Sequence, residues 1–441
     1  MKNAREVALR ILMKIDEDKA FSNILLNSEL NKVELTELDK TFVTQLVYGV
    51  LSNKIAIDYI IKKSSKVKFN KIAVPILNIL RLGIFQIYYL DKVPVSATCN
   101  ESVKLAKKYG HVSSANFVNA LLRNASRKEK DSFFIGIEDK SEYLSIYYSY
   151  PRWIIDIWVN QFGIDGTNEL LVANEKVNYD SVRVNLLKTS RDEMLKRFNE
   201  CEEGKLPDIF YTKDVKNIIN SDEFKNGFIT LQDEAPALVS HLLKAKSGHH
   251  ILDICAAPGG KTAHVATLVN DEGKIIAMDL YPNRVKLIED TAKRLGVETI
   301  ETRVGNATIL NSEFINKFDR IIADVPCSGL GVIRKKPDIK FNIKEEDIDS
   351  INEIQKKILV NASKYLKVGG ILVYSTCTNV FKENQETVNW FLERNKNFEI
   401  VTDENLIPAE WKSGLKDGML SLLPSKHGCD GFFICCLRKN M

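Results

Sequence analysis

HHILDICAAPGGKTAHVATLV, residues 249–269, decides the fold. A short apolar run ends at an acid and a turn of small residues, and a helix-length segment follows. That is the pattern of a strand feeding a helix through a tight glycine turn. The pattern then recurs. KIIAMDL (274–280) leads into NRVKLIEDTAKRLG (283–296), and IETRV (300–304), RIIADVP (320–326) and GGILVYST (369–376) are further apolar runs that each end near a polar residue. GFFICCLRK (431–439) is the last such run. Strict alternation of strands and helices predicts a parallel, doubly wound sheet with helices on both faces.

In such a sheet the ligand lies at the carboxyl ends of the strands. After the first strand, CAAPGGKT (255–262) offers the small residues Cys255, Ala256, Ala257, Pro258, Gly259 and Gly260, then Lys261. Glycines let a backbone approach a ligand closely, beside a helix N-terminus. The segment ends in GKT like a phosphate-binding loop, but the first glycine of that pattern would fall at Cys255, so the spacing fails. Cofactor cradle and plain strand-to-helix turn both remain open. Asp279 ends the second strand, 19 residues past Gly260. It is placed to accept hydrogen bonds from ribose hydroxyls, or to cap the helix beginning near Pro282 and Asn283. Glycine loop and acid together point to an adenosine-type ligand. Asn306, in GNAT (305–308), follows the third strand, where its carbonyl could read an adenine amino group or serve as an ordinary turn residue.

Two thiols follow the next strands: Cys327 in DVPCSGLG (324–331) and Cys377 in YSTCT (374–378). Thiols at neighbouring strand ends converge on one cleft. A free cysteine is usually a buried small hydrophobe, but one just past a strand end, among Ser, Thr and Pro, suits chemistry better. No histidine lies near either cysteine in sequence, so a Cys–His arrangement is unsupported.

The amino-terminal part reads differently. In NAREVALRILMKI (3–15), Ala4, Val7, Ala8, Ile11 and Leu12 share one helical face. SSANFVNALLRNASRK (113–128) opens with serines suited to a helix N-cap and returns Phe117, Leu121 and Leu122 at helical spacing. An all-α domain over 1–130 follows. RKEKDSFFIGIEDKSE (127–142) reads as a linker. YPRWIIDIWVNQFG (150–163) starts a helix near Pro151, SVRVNLL (181–187) a strand, SRDEMLKRFNE (190–200) a capped helix, and GFITLQDEAPALVSHLL (227–243) a strand leading into a helix. This is a small α/β or α+β module.

The 441 residues carry 44% hydrophobic and 27% charged side chains, as in ordinary globular proteins. IAVPILNILRLGIFQIYYL (72–90) is the longest apolar stretch. Pro75, Asn78, Arg81 and Gln86 interrupt it, so a buried helix pair is expected rather than a membrane span. MKNAREVALR shows no secretory signal. Eight irregularly spaced cysteines argue against a disulfide framework, and without a CxxC pair no metal site is expected. A reducing cytoplasm fits. Of 62 Lys+Arg and 58 Asp+Glu, residues 1–130 hold 22 and 12, leaving 40 and 46 for the remainder. A basic head on a mildly acidic body suggests either a polyanion-binding appendage or a lysine-rich solvated surface.

CAAPGGKT, DVPCSG and YSTCT, in that order, resemble the RNA cytosine-C5 methyltransferases that use S-adenosylmethionine, and HGCDGFFICCLRK (427–439) resembles that family's last strand. VPVSATCNESVKLAKKYG (93–110) and SSANFVNALLRN (113–124) resemble the RsmB (Sun/Fmu) branch, which carries a NusB-like helical domain. The resemblance implies a multidomain chain: an all-α NusB-like RNA-binding domain (1–130), a small α+β RNA-binding module (140–230) and a Rossmann-like α/β methyltransferase domain (231–441). It implies that the loop 255–261 wraps S-adenosylmethionine with Lys261 near its carboxylate, that Asp279 holds the ribose, and that Asn306 sits by the adenine, where the family more often has Asp. Asp324 would lie between cofactor and base. Cys377 would be the nucleophile and Cys327 the aid to product release. The implied substrate is a cytosine of 16S rRNA and the implied state a cytoplasmic monomer, with no membrane or DNA partner. A tRNA methyltransferase and a non-catalytic NusB-like assembly or antitermination factor are the alternatives.

Overall fold

The computed structural model describes residues 3–18, 22–176 and 179–441. They form two compact units: Met1–Asn168 with Lys336–Ile343, and Glu169–Lys335 with Lys344–Met441.

The first unit is helical, with α1 (Ala4–Asp18), α2 (Ser22–Asn31), α3 (Glu37–Ser52), α4 (Lys54–Ser64), α5 (Val74–Tyr89), α6 (Val95–Tyr109) and α7 (Val112–Ala125). The face expected of α1 is the buried one: Ala4, Val7, Ala8, Ile11 and Leu12 are all in the core. The stretch 72–90 is one helix rather than a pair. Pro75 lies in its first turn, where a missing N–H breaks no helical bond. The polar residues that interrupt it are buried and satisfied. The Arg81 guanidinium donates to both carboxylate oxygens of Asp58 (2.7 and 2.9 Å) and to Asp16 (2.8 Å), while Gln86 accepts from Arg5 (2.7 Å). Helix α7 is capped by His111 rather than by the serines, with Ser114 as the reciprocal partner.

The stretch 127–142 is not a linker. It contains a 3-10 turn, Lys130–Phe133, and the start of α8 (Lys140–Tyr147), and Phe133 and Phe134 are buried in the helical core. Two adjacent phenylalanines outweigh the surrounding charge. Helix α9 (Arg152–Asn174) follows, interrupted at Gly163, whose φ of +72° is left-handed. The helical unit thus extends past residue 130, as far as 168. Removing one partner of a buried, paired charge costs about 3 kcal/mol or more. Asp58→Ala is therefore expected to lower the stability of this unit by about that much in urea melts, with Asp58→Asn milder.

The second unit holds two sheets. The smaller is antiparallel, β1 (Asp180–Val184), β2 (Cys201–Glu203), β3 (Ile209–Thr212) and β4 (Ile229–Leu231), in the order β2-β3-β1-β4. Its helices are α10 (Arg191–Arg197), α11 (Val215–Asn220) and α12 (Asp222–Lys225). Ser190 and Glu193 form the capping box of α10. Helix α13 (Glu234–Leu242) leads to the larger sheet.

That sheet contains β5 (His250–Asp253), β6 (Lys274–Asp279), β7 (Ile300–Val304), β8 (Phe318–Asp324), β9 (Leu366–Thr376), β10 (Phe398–Ile400), β11 (Leu415–Lys416), β12 (Met419–Leu422) and β13 (Phe432–Lys439). Its helices are α14 (Gly260–Leu268), α15 (Pro282–Leu295), α17 (Glu345–Tyr365) and α18 (Gln385–Arg394); the short α16 (Ile339–Asn342) belongs to the first unit. The order is β11-β12-β13-β9-β8-β5-β6-β7, with β10 also paired to β13. Strands β5 to β9 are parallel, but β13 runs antiparallel to both β9 and β12. The sheet is therefore mixed, not wholly parallel. The segment between β12 and β13 is too short for a parallel crossover, which needs a dozen residues or more. An unbroken apolar run such as FFICC carries no sign of strand direction.

Asp208, before β3, ties α13 to α14. It lies 3.0 Å from His241 Nε2 and also hydrogen-bonds His264 Nε2. Burial would raise the Asp208 carboxyl, but the two imidazoles hold it well below the usual range. Burial and the Arg183 guanidinium push His264 down to about 3. A histidine with a depressed folded pKa binds its proton first in the unfolded chain. The contribution of His264 to stability is therefore full above pH 6.5 and falls as the pH drops toward 3. Between pH 6.5 and 4 the loss from His264 is on the order of 3 kcal/mol, and His264→Gln should flatten that slope in melts across the same range.

Candidate active site

The strand order reverses between β5 and β8. At such a point in an open α/β sheet a crevice lies outside the carboxyl ends. Asp253 ends β5, Asp279 ends β6 and Asp324 ends β8, while Cys377 directly follows β9.

The loop after β5 depends on Gly259. Its φ is +98°, and it forms the N-cap of α14. A Cβ there would approach Ile288 Cα to 3.1 Å, so the position needs glycine on both counts. Gly260 opens α14, and the nearest atom to a Cβ there is 3.9 Å away. The turn is pinned to the next strand, since Ala256 N–H donates to Met278 O (2.8 Å). Cys255 is a lining thiol: burial, then the Asp253, Asp279 and Asp324 carboxylates, push it well above the usual thiol range. Beneath the loop, Asp253 accepts from Thr262 Oγ1 at 2.6 Å, and burial pushes it up to about 7.

Asp279 is not the helix cap, which is Tyr281. It is only 4% exposed, and its two oxygens accept Leu280 N–H (2.8 Å) and Ala257 N–H (3.1 Å). A carboxylate offers about four lone-pair sites, so it keeps acceptor capacity for hydroxyls. Arg284, which the sequence reading missed, lies 3.4 Å from Asp279 and donates to Ala257 O at 3.3 Å. A glycine cradle at a helix N-terminus, an acid with spare acceptors and a lysine fit a nucleoside carrying a charged tail. Asn306 is exposed, and its Oδ1 accepts from Thr308 N–H (3.0 Å) and Thr308 Oγ1 (2.7 Å), a local turn.

Lys261 and Asp324 meet at 2.6 Å, and Ser375 Oγ donates to the other Asp324 oxygen at 2.8 Å. Burial pulls the Lys261 ammonium down, but Asp324 reverses this, and the net shift is upward. So the lysine expected beside a cofactor carboxylate is engaged here by Asp324. The two thiols do converge: Cys327 Sγ and Cys377 Sγ are 3.2 Å apart. Cys327 is pushed well above its usual value, first by its hydrogen bond to Cys377, then by burial and by the nearby Glu383 carboxylate. In this contact either sulfur can be the donor. Behind the pair lie Ser328, Thr378, Gln355 and Glu383. The first two follow the cysteines in the motifs already quoted, while Gln355 and Glu383 gave no local signal.

A mixed sheet whose parallel strands carry a glycine loop after β5, an acid at the end of β6 and two converging thiols past β8 and β9 fits an enzyme with a nucleoside-type cofactor and a thiol-bearing cleft. The comparisons with known proteins narrow this. Residues 240–438 match the family model for 16S rRNA methyltransferase RsmB/F, 2–127 that of the NusB family, and 150–204 the ferredoxin-like domain of RsmF/B-like methyltransferases. The probable ribosomal RNA small subunit methyltransferase B of Bacillus subtilis (strain 168) is 38% identical over 99% of both chains. That of Synechocystis sp. (strain ATCC 27184 / PCC 6803 / Kazusa) is 32% identical over 100% of both. The crystal structure of PH0851 superposes with a TM-score of 0.82 at 24% identity, covering 100% of this chain and 99% of that one. The chain belongs to the ribosomal RNA small subunit methyltransferase B family, whose methyl donor is S-adenosylmethionine.

Losing buried hydrogen bonds to a charged acceptor costs about 1.5–3 kcal/mol. The ribose-holding role expected of Asp279 predicts that Asp279→Ala weakens S-adenosylmethionine binding by roughly tenfold to a hundredfold in calorimetric titration.

Proposed function

We propose that this chain methylates C5 of a specific cytosine in 16S rRNA through a covalent adduct between Cys377 and cytosine C6. The observation that carries the reading is the pair of sulfurs 3.2 Å apart, past the ends of two parallel strands, beside the Lys261–Asp324 pair. The residues 255–261 and Asp279 would hold S-adenosylmethionine, with Asn306 toward the adenine. When bound, that group supplies an electrophilic methyl group.

Cytosine C5 is a poor nucleophile. Addition of the Cys377 thiolate to C6 turns C5 into an enamine carbon, which splits one hard step into two easier ones. Asp324, held by Lys261 and Ser375, would face the edge of the base and accept a hydrogen bond from its N4 amino group, which steadies the addition. After C5 has gained its methyl group, its proton must leave before the Cys377–C6 bond can break. Cys327 gives its proton to the departing Cys377 sulfur, and the thiolate so formed takes the C5 proton. The net reaction thus releases one proton and restores both thiols. In this reading Cys377 takes the earlier role and Cys327 the later one. The base reaches the crevice only by leaving its stack. The helical domain and the small α+β module grip the RNA. Among the described residues no helix is long and apolar enough to cross a membrane, and the protein acts as a cytoplasmic monomer on RNA.

Cys377→Ala is expected to abolish methylation. Cys327→Ala should still attack and accumulate a covalent RNA adduct, visible on denaturing gels with labelled RNA. The reverse pattern would exchange the two roles. Bisulfite sequencing of rRNA and tRNA from cells lacking the protein tests the substrate. One unmethylated cytosine in 16S rRNA is expected, and a loss confined to tRNA would refute it.

A further inference from the structure

Glu383 ends the 3-10 turn Phe381–Glu383, shortly after β9 and Cys377, and its side chain is fully buried at 0% exposure. A buried carboxylate is costly unless it is surrounded by donors. Here the direct donors come from the Cys327 loop and from α17, and the Cys377 loop joins through Ser328. One Glu383 oxygen accepts Ser328 N–H (2.8 Å) and Gln355 Nε2–H (3.0 Å), and the other accepts Ser328 Oγ–H (2.5 Å). Ser328 Oγ in turn lies 2.7 Å from Thr378 Oγ1. Ser328 directly follows Cys327, and Thr378 directly follows Cys377. Gln355, from α17, also donates to Pro326 O (3.0 Å), on the other side of Cys327. Tyr374 OH donates to the backbone carbonyl of Glu383 (2.7 Å), which fixes the turn to β9. The carboxylate contacts neither sulfur through a hydrogen bond, and none of its donors belongs to the loop 255–261 or to Asp279.

We propose that Glu383 is a positioning residue that joins the Cys327 and Cys377 loops into one hydrogen-bonded unit and so sets the distance between the two sulfurs. The proposal rests on the two-thiol chemistry given above. Its charge also faces Cys327 and adds to the forces that keep that thiol protonated until release. A side chain that only filled space could be replaced by any isostere without altering the sulfur pair or its titration. A positioning carboxylate cannot.

Sulfur spacing can be read without RNA. Diamide takes two hydrogens from a pair of neighbouring thiols, is reduced to the hydrazine, and leaves a disulfide. The rate of the Cys327–Cys377 cross-link, followed by peptide mass spectrometry on the full-length protein, reports their proximity. Glu383→Ala is expected to slow cross-linking about tenfold or more and to lower kcat by a similar factor, since displacements near 1 Å cost that much or more. KM for S-adenosylmethionine should stay within about twofold, because the cofactor loop does not depend on Glu383. Glu383→Gln keeps the shape and should restore most of the cross-linking. It removes the charge beside Cys327, so the pH profile of adduct decay in single turnover should move to lower pH. If Glu383→Ala folds poorly, Ser328→Ala, which removes only the hydroxyl bridge to Thr378, should slow cross-linking about threefold. Wild-type cross-linking in both Glu383→Ala and Ser328→Ala would overturn the positioning role. So would a Glu383→Gln pH profile that superimposes on the wild type. Slowed cross-linking with an unchanged kcat would instead overturn the two-thiol reading on which the proposal rests.

Discussion

Everything functional in this molecule depends on where the strand order turns. β6 and β7 lie to one side of β5, and β8 and β9 to the other. A sheet that grows in both directions from its first strand leaves an open crevice between its two central carboxyl ends. Each strand then needs only to end in the right residue. Asp253, Asp279 and Asp324 are strand-terminal, and Cys377 and Cys327 lie one and three residues past an end. The chemistry is assembled by topology rather than by any one loop.

Electrostatics within the crevice follow from burial and partners together. Four acids crowd the site, and each is treated differently. Asp279 is held by backbone N–H groups and Asp324 by an ammonium and a hydroxyl. Asp253, buried with one hydroxyl donor, rises to about 7, and Glu383 also rises by burial in spite of its donors. The raised Cys327 thiol belongs to the same logic, since a sulfur next to a second sulfur and a buried carboxylate gives up its proton reluctantly.

Much of this could be read from the sequence, and the parts that could not share a cause. The βα alternation, the glycine loop, Asp279 and the two strand-end thiols are local signals, because each lies within one strand and the turn after it. The capping box at Ser190 and Glu193 and the apolar face of α1 are equally local. The antiparallel entry of β13 was not legible, because FFICC is apolar on both faces in either direction. The Phe133–Phe134 pair was hidden by the charges around it, and Pro75 suggested a break where it in fact begins a helix. Glu383 and Gln355 were invisible for a stronger reason: Glu383 holds Ser328 from 55 residues away, and Gln355 holds Glu383 from 28. Only the folded chain brings them together.

One close approach in the site bears on how the protein is made. Gly331, four residues past Cys327, accepts Gly431 N–H at 2.9 Å and donates to Cys377 O at 3.0 Å. A Cβ on Gly331 would come within 2.1 Å of Gly431 O. Nearby, Arg334 pairs with Asp430 across 96 residues of sequence. Such contacts give no help to a partly folded chain until long loops have closed, and long closures slow folding. The strands β5 to β8 are near in sequence and can pair early. The wall behind the sulfurs waits for β13.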